Sequence, residues 1–207
     1  MILRRLIVGP LAANCYILAA SRGSEAAIID PGAEGERILK AIEGDNLKLR
    51  YIINTHGHYD HFGACDQLAK VTGAKIFIHA DDAELLEKPV ENLSLIYGAH
   101  SSSASWNGLL TDGQIMTVGE LKLKILHTPG HTRGSISILV DDLLFTGDLL
   151  FKGSVGRTDF PSSSWDKLME SLKKIISLPD STKIYPGHGP ETTLIQEREL
   201  NPFLQGL

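Results

Sequence analysis

The sequence predicts an α/β protein in which two β-sheets carry their helices on the outside. Three observations support this: strand-like and helix-like runs alternate through the first third, strand signals return together between residues 114 and 146, and an amphipathic helix, a strand and a further helix close the chain. Residues 3–8, 15–20 and 26–30 are apolar, β-branched runs separated by Gly9-Pro10, residues 21–24 and Pro31-Gly32, so each reads as a strand bounded by a turn. Residues 36–43 set Ile38, Leu39 and Ile42 at helical spacing and end at Gly44. Residues 50–54 form a buried strand, 64–71 a helix stopped at Gly73, and 75–79 the next strand. This β-α-β-α-β order covers one face of a sheet with helices.

Segment 92–107 lacks periodicity, contains Ser101-Ser102-Ser103, and is expected to be a long surface loop with at most a short helix. Strands follow at 114–118, 121–127, 135–140 and 143–146, with tight turns at Gly119-Glu120 and Asp141-Asp142. Residues 165–178 place Leu168, Leu172, Ile175 and Ile176 on one helical face, capped by residues 162–164 and closed before Pro179. Residues 183–185 are a last short strand, and a helix near 194–200 stops at Pro202. No repeat or linker interrupts the chain, so one domain over residues 1–207 is expected.

Composition narrows the function. With 207 residues, 43% hydrophobic, the chain can bury a large core without disulfide or metal staples. A net charge of -5 and no clustered Lys or Arg argue against nucleic-acid binding. No apolar run approaches the roughly 18 residues of a membrane span. The first apolar run breaks at Gly9-Pro10, too soon for a leader's hydrophobic region. Cys15 and Cys65 are expected to be buried small hydrophobes rather than a disulfide framework, which points to the reducing cytoplasm.

The chemistry concentrates in Thr55-His56-Gly57-His58-Tyr59-Asp60-His61, directly after the strand at 50–54. Three imidazoles and a carboxylate within six residues are costly to assemble unless a cation binds them. A lone loop histidine would read as a solvated surface group; this spacing does not. In extended chain His56 and His58 point the same way and can share one ion. Asp60 and His61 fall where the following helix begins and can turn toward a second, and Gly57 permits the tight path between. Three further candidates lie in loops at strand ends: His131 in His127-Thr128-Pro129-Gly130-His131, Asp148 in Phe145-Thr146-Gly147-Asp148, and His188 in Tyr185-Pro186-Gly187-His188-Gly189. Seven N/O ligands without a thiolate suit two divalent ions, zinc first, with iron or manganese also in range.

This set of motifs closely resembles the metallo-β-lactamase-fold hydrolases over nearly the whole chain, and is most similar to their glyoxalase II (hydroxyacylglutathione hydrolase) branch. The resemblance implies a four-layer αββα sandwich with a dinuclear site at one edge. It implies His56, His58 and His131 on one metal, Asp60, His61 and His188 on the other, and Asp148 bridging both. It further implies hydrolysis of a small glutathione thioester such as S-lactoylglutathione by a metal-bridging hydroxide, with Asp60 helping to orient it. Lactamases with two zincs commonly carry cysteine at the position of Asp148 and are exported, and nuclease members add large binding domains; neither pattern is matched here. In glyoxalase II a basic residue matching Arg157 binds a glutathione carboxylate, so Arg157, with Asp159 nearby, is assigned to substrate binding. Asp159 stands where many such enzymes have an aromatic, and a salt bridge between the two is the structural alternative. The C-terminal helical domain of longer glyoxalase II enzymes has no counterpart.

The rival resemblance is to persulfide dioxygenases, which share Gly156-Arg157-Thr158-Asp159-Phe160 and would hold a single iron on His56, His131 and Asp148. Pro186-Gly187-His188-Gly189 differs from the dioxygenase His-Asp-Tyr and favours the hydrolase. A non-catalytic metal-binding protein is disfavoured because all seven ligands are present. His79, His100 and His127 lack partner spacing and are expected at strand ends or the surface. Trp106 and Phe160 are candidates to line a pocket, Trp165 is expected in the core, and Tyr185 beneath the site.

Overall fold

The computed structural model describes residues 1–97 and 103–207. His100 and part of the serine run of the expected surface loop fall outside them. One sheet has six strands in sequential order: β1 (Ile2–Val8), β2 (Ala13–Ala19), β3 (Glu25–Ile29), β4 (Lys48–Ile53), β5 (Lys75–His79) and β6 (Gly108–Leu110). Strands β1 to β3 pair antiparallel and β3 to β6 parallel. The parallel connections carry α1 (Gly35–Gly44), then the short α2 (Tyr59–Phe62) with α3 (Cys65–Thr72), and after β5 a 3-10 helix (Ala80–Glu87).

The second sheet contains β7 (Ile115–Val118), β8 (Leu121–His127), β9 (Ile136–Val140), β10 (Leu143–Gly147), β13 (Lys183–Pro186) and β14 (Thr192–Thr193). Strands β7 to β10 form an antiparallel meander, and the turns Gly119-Glu120 and Asp141-Asp142 sit where expected, with Gly119 and Asp141 both at positive φ. Strand β13 runs parallel to β10, reached through the hairpin β11 (Leu150–Phe151) and β12 (Ser154–Val155) and the helix α4 (Trp165–Ile176). Helix α5 (Leu194–Leu200) follows β14.

Three apolar clusters define four layers. Tyr16, Leu18, Ile29 and Ile53 meet Leu123, Ile125, Ile138 and Phe145 between the sheets. The opposite face of the first sheet, through Ile17, Ile28, Ile52 and Ile76, packs on Ile38 and Ile42 of α1 and Leu68 of α3. The outer face of the second sheet, through Leu126, Leu144 and Ile184, packs on Leu168, Leu172 and Ile175 of α4 and Leu194 of α5. Alternation along β2 shows the cause: Tyr16 and Leu18 face the other sheet while Cys15 and Ile17 face the helices, so the whole strand is buried. The result is the expected αββα sandwich.

The side-chain expectations fare unevenly. Cys15 and Cys65 are buried free thiols, as expected. Tyr185 stacks on Phe145 and meets Tyr16 edge-on. Trp165 is a correction: it is 45% exposed at the first position of α4, where its ring meets Phe203 edge-on at 6.1 Å. Trp106 packs against the first outer core.

Candidate metal centre

All seven predicted ligand residues converge at the C-terminal ends of β4, β8, β10 and β13. The first loop leaves β4 at Asn54, whose side-chain amide donates to His61 O at 2.8 Å and fixes the turn into α2. The left-handed φ of Gly147 directs the chain to Asp148, and a Cβ there would lie 2.5 Å from Thr55 Oγ1. The His188 loop is clamped from β2: Tyr16 and Asn14 side chains both donate to Pro186 O, and Asn14 N donates to Gly187 O.

The ligand atoms form overlapping groups. His56, His58 and His131 make one, Asp60, His61 and His188 another, and His56, His61 and Asp148 a third, each with its atoms within 4.8 Å of one another. His131 Nε2 lies 2.9 Å from His58 Nδ1, and His188 Nε2 lies 3.3 Å from His61 Nε2 and 3.2 Å from Asp60 Oδ2. Asp148 stands between the groups: Oδ1 is 3.6 Å from His61 Nε2, while Oδ2 is 3.6 Å from His131 Nε2 and 3.7 Å from His188 Nε2.

Behind the ligands, a second layer sets the tautomers. His131 Nδ1 faces Arg157 O at 2.9 Å and His188 Nδ1 faces Leu11 O at 3.1 Å. A carbonyl only accepts, so each Nδ1 carries the proton and each Nε2 keeps its lone pair for the centre. Asp30 accepts from Thr55 N and Thr55 Oγ1, both at 2.7 Å, and from His61 Nδ1 at 3.0 Å; the Thr55 oxygen then accepts from His56 Nδ1 at 3.1 Å.

The electrostatics match a cation site. Burial, reinforced by neighbouring imidazoles, holds His56 and His58 well below their ordinary range, so both are neutral. Burial opposes the charge of His61, but Asp60, Asp148 and Asp30 outweigh it and pull the ring up to about 10. Burial likewise opposes ionisation of Asp60, yet His61 and His188 hold it below the usual carboxylate range. His56 Nε2 and Asp148 Oδ1 are buried with no hydrogen-bond partner. Buried lone pairs of this kind are costly unless something electropositive meets them, and imidazoles with carboxylates and no thiolate fit divalent ions such as zinc or iron.

A cavity of about 340 Å³ opens beside the cluster, walled by Leu93, Tyr97, Phe151 and Phe160, with Arg157 at its edge. Phe160 stands edge-on to His58 at 5.2 Å. Arg157 Nε and Nη2 both donate to the Asp159 carboxylate at 2.6 Å, and the guanidinium lies 4.5 Å over the Phe160 ring. The fork of Arg157 is thus engaged within its own loop, and Asp159 lies outside the cavity wall.

Sequence reasoning missed Asp30 and Asp82, which bind backbone and side chains of the ligand loops. The only sequence signal was an acidic residue closing a buried strand, or following one. His79 and His127 sit at strand ends, as expected, but they are not without partners: their rings stack at 4.0 Å with Asp81 beside them. One nitrogen of each ring is engaged, His79 Nδ1 accepting from Asp81 N and His127 Nε2 donating to Arg133 O, and with Asp81 the pair forms a fourth group whose ligand atoms lie within 4.8 Å of one another.

Comparison with known proteins agrees with this geometry. The model of the metallo-beta-lactamase superfamily matches residues 8–188. YqgX of Bacillus subtilis, a probable metallo-hydrolase, is 34% identical over 207 residues, covering 98% of this chain and 97% of its own. The hydroxyacylglutathione hydrolase GloC of Haemophilus influenzae is 38% identical over 198 residues, 92% of each chain. Among solved structures, the BLEG-1 B3 metallo-beta-lactamase superposes with a TM-score of 0.94 at 34% identity, over 99% of this chain and 100% of its own. TTHA1623 in a di-iron-bound form gives 0.88 at 35%, over 97% and 100%. ETHE1 from Myxococcus xanthus gives 0.82 at 32%, over 98% and 84%. The chain belongs to the metallo-beta-lactamase superfamily of metal-dependent hydrolases.

Proposed function

We propose that this protein is a dinuclear, cytoplasmic, single-domain hydrolase of small glutathione thioesters such as S-lactoylglutathione. In this reading His56, His58 and His131 hold one divalent ion, Asp60, His61 and His188 the second, and Asp148 reaches both. The observation that carries the dinuclear reading is the placement of Asp148, with one carboxylate oxygen toward His61 and the other toward His131 and His188. Zinc is the first choice of ion, and the di-iron form of TTHA1623 puts iron next. When bound, such ions acidify water to a pKa of about 7 and polarise a carbonyl oxygen. The chain's own contributions are distinct. His56 and His58, held neutral, would present lone pairs, the Asp60 and Asp148 carboxylates would orient the attacking water, and Tyr97, Phe151 and Phe160 would line its approach. A thiolate leaves readily, so no general acid is required.

The thioester itself is supported by GloC, a hydroxyacylglutathione hydrolase of matching length. Likeness to ETHE1 is compatible with the persulfide dioxygenase alternative but does not favour it over the hydrolase. That reaction needs only His56, His131 and Asp148, and leaves His58, Asp60, His61 and His188 converging without a task. Likeness to BLEG-1 adds a β-lactam as a substrate to test.

The deciding experiment loads the protein with zinc or iron and assays S-lactoylglutathione hydrolysis, oxygen uptake with glutathione persulfide, and nitrocefin opening. A kcat/KM above about 10⁴ M⁻¹s⁻¹ on the thioester, with the other two negligible, is expected. Dominant oxygen uptake or nitrocefin turnover overturns the reading. Arg157→Ala is expected to raise KM about tenfold for the glutathione thioester and to spare a small neutral thioester, on the scale of one charge-assisted hydrogen bond. Equal effects on both assign Arg157 to loop structure alone.

A further inference from the structure

Asp82 lies in the first turn of the 3-10 helix after β5 and is fully buried, and among the described residues it has no salt bridge. Its carboxylate is held by three donors from two different loops. Oδ2 accepts from Gly57 N at 2.9 Å and from Thr132 Oγ1 at 2.6 Å, and Oδ1 accepts from Gly134 N at 2.7 Å. Gly57 lies between His56 and His58; Thr132 follows His131. Asp82 therefore ties together the two loops that supply all three histidines of the first group. Among the described residues its hydrogen bonds go to these two loops and not to α2 or the His188 loop, which supply the second.

A second observation points the same way. A Cβ on Gly134 would lie 2.5 Å from Asp82 N and 2.7 Å from Asp82 Cβ, and one on Gly57 would lie 2.7 Å from Leu85 Cβ and 3.2 Å from Asp82 O. Both loops rest directly on the 3-10 helix with no side chain between. Thr132 is held further, its hydroxyl 2.7 Å from Ser135 Oγ and its N–H donating to the same oxygen at 3.0 Å. Burying a carboxylate without a cationic partner is expensive, and three short bonds to loop groups are what offset it.

We propose that Asp82 is a positioning residue for one ion of the pair, holding the His56–His58 loop and the His131 loop at the spacing that the first ion requires. The inference rests on the dinuclear reading above. Its consequence is selective: loss of Asp82 loosens the histidine triad and leaves Asp60, His61 and His188 in place.

The test compares zinc binding by the wild type, Asp82→Asn and Asp45→Asn. Asp45 is a control, a buried carboxylate held by Arg4 at 2.8 Å that precedes β4, whereas the ligand loop follows that strand. Asp82→Asn turns an amide N–H toward loop donors. It is expected to retain one zinc and weaken the other about 10–100-fold, the usual range for a residue behind a ligand. Imidazole ¹⁵N shifts should show His56, His58 and His131 released while His61 and His188 stay ligated. Asp45→Asn should keep both ions. Thr132→Val, which removes one bond to Asp82, should give a smaller loss at the same ion and serves if Asp82→Asn does not fold. Equal weakening of both ions, or no weakening in either variant, overturns the positioning role. A wild type that holds fewer than two zincs instead overturns the dinuclear reading itself.

Discussion

Asp30 and His61 form a buried contact at 3.0 Å, and the same carboxylate reaches His56 through Thr55. Asp30 adopts φ 53, a left-handed conformation that Asp tolerates better than most residues and that recurs where function holds the backbone under strain. Gly32 follows because a Cβ there would lie 1.5 Å from Asp60 O. The charge balance at His61 gives a pH prediction. With its ring pulled up to about 10, His61 is protonated at neutral pH before an ion binds, and ligation must displace that proton. Zinc loading near neutral pH is therefore expected to release at least one proton, and apparent affinity to rise about tenfold per pH unit for each proton released. Titration calorimetry in buffers of different ionisation heat measures this, and identical heats in all buffers would refute it. His56, His58, Asp60 and His61 were legible because their close spacing is a local signal, and His131, Asp148 and His188 because each sits in a Gly-containing loop at a strand end that matches the family's motifs. Asp30 and Asp82 were not, since their partners lie 25 or more residues away and only folding reveals them.

At the scale of elements, α4 holds the His131 loop as well as covering the sheet. Ser164 N donates to Gly130 O, Ser163 Oγ to His131 O and Ser171 Oγ to Pro129 O. Gly130 has φ 144, and a Cβ on it would lie 2.4 Å from Leu168 backbone atoms. Gly130→Ala is expected to destabilise the fold by about 1–3 kcal/mol and to weaken zinc binding, because the loop must shift against a helix backbone that cannot yield. Ser164→Ala removes only the side-chain cap on Lys167 N, costs about 1 kcal/mol, and leaves zinc content unchanged. Urea midpoints and metal analysis of the two variants separate the effects. The sequence reading located α1, α3, α4 and the meander within a residue or two, because each has several turns or a clear alternation. It missed β6, the β11–β12 hairpin, β14 and the 3-10 helix, which are too short for periodicity to register or lie in polar sequence. The hairpin matters most, since Phe151, Ser154 and Val155 line the cavity. It is pinned from α5 by Glu197, which accepts from Gly153 N, and by Asn201, which donates to Ser154 O.

For the whole molecule, the two sheets share one core, and the ligand loops of both meet at one edge. Ions that bind only the folded state add stability by mass action, about 4 kcal/mol per site at a free concentration near a thousand times Kd. For a chain of this size that corresponds to a rise in Tm of roughly 8–16 °C per ion. Differential scanning calorimetry with and without a chelator tests it, and an unchanged Tm would contradict it. The αββα layering was legible because helices and strands divide into two halves, each with its own outer apolar face. The juxtaposition of the halves was not, since no local pattern records it.

That juxtaposition has a consequence for assembly. His58 and His131 are 73 residues apart in sequence, and His61 and His188 are 127 apart, so each candidate ion would rivet the first half of the chain to the second. A chain in which one half is misplaced offers an ion only the isolated cluster from His56 to His61. The full ligand set thus exists only once both halves have docked in register.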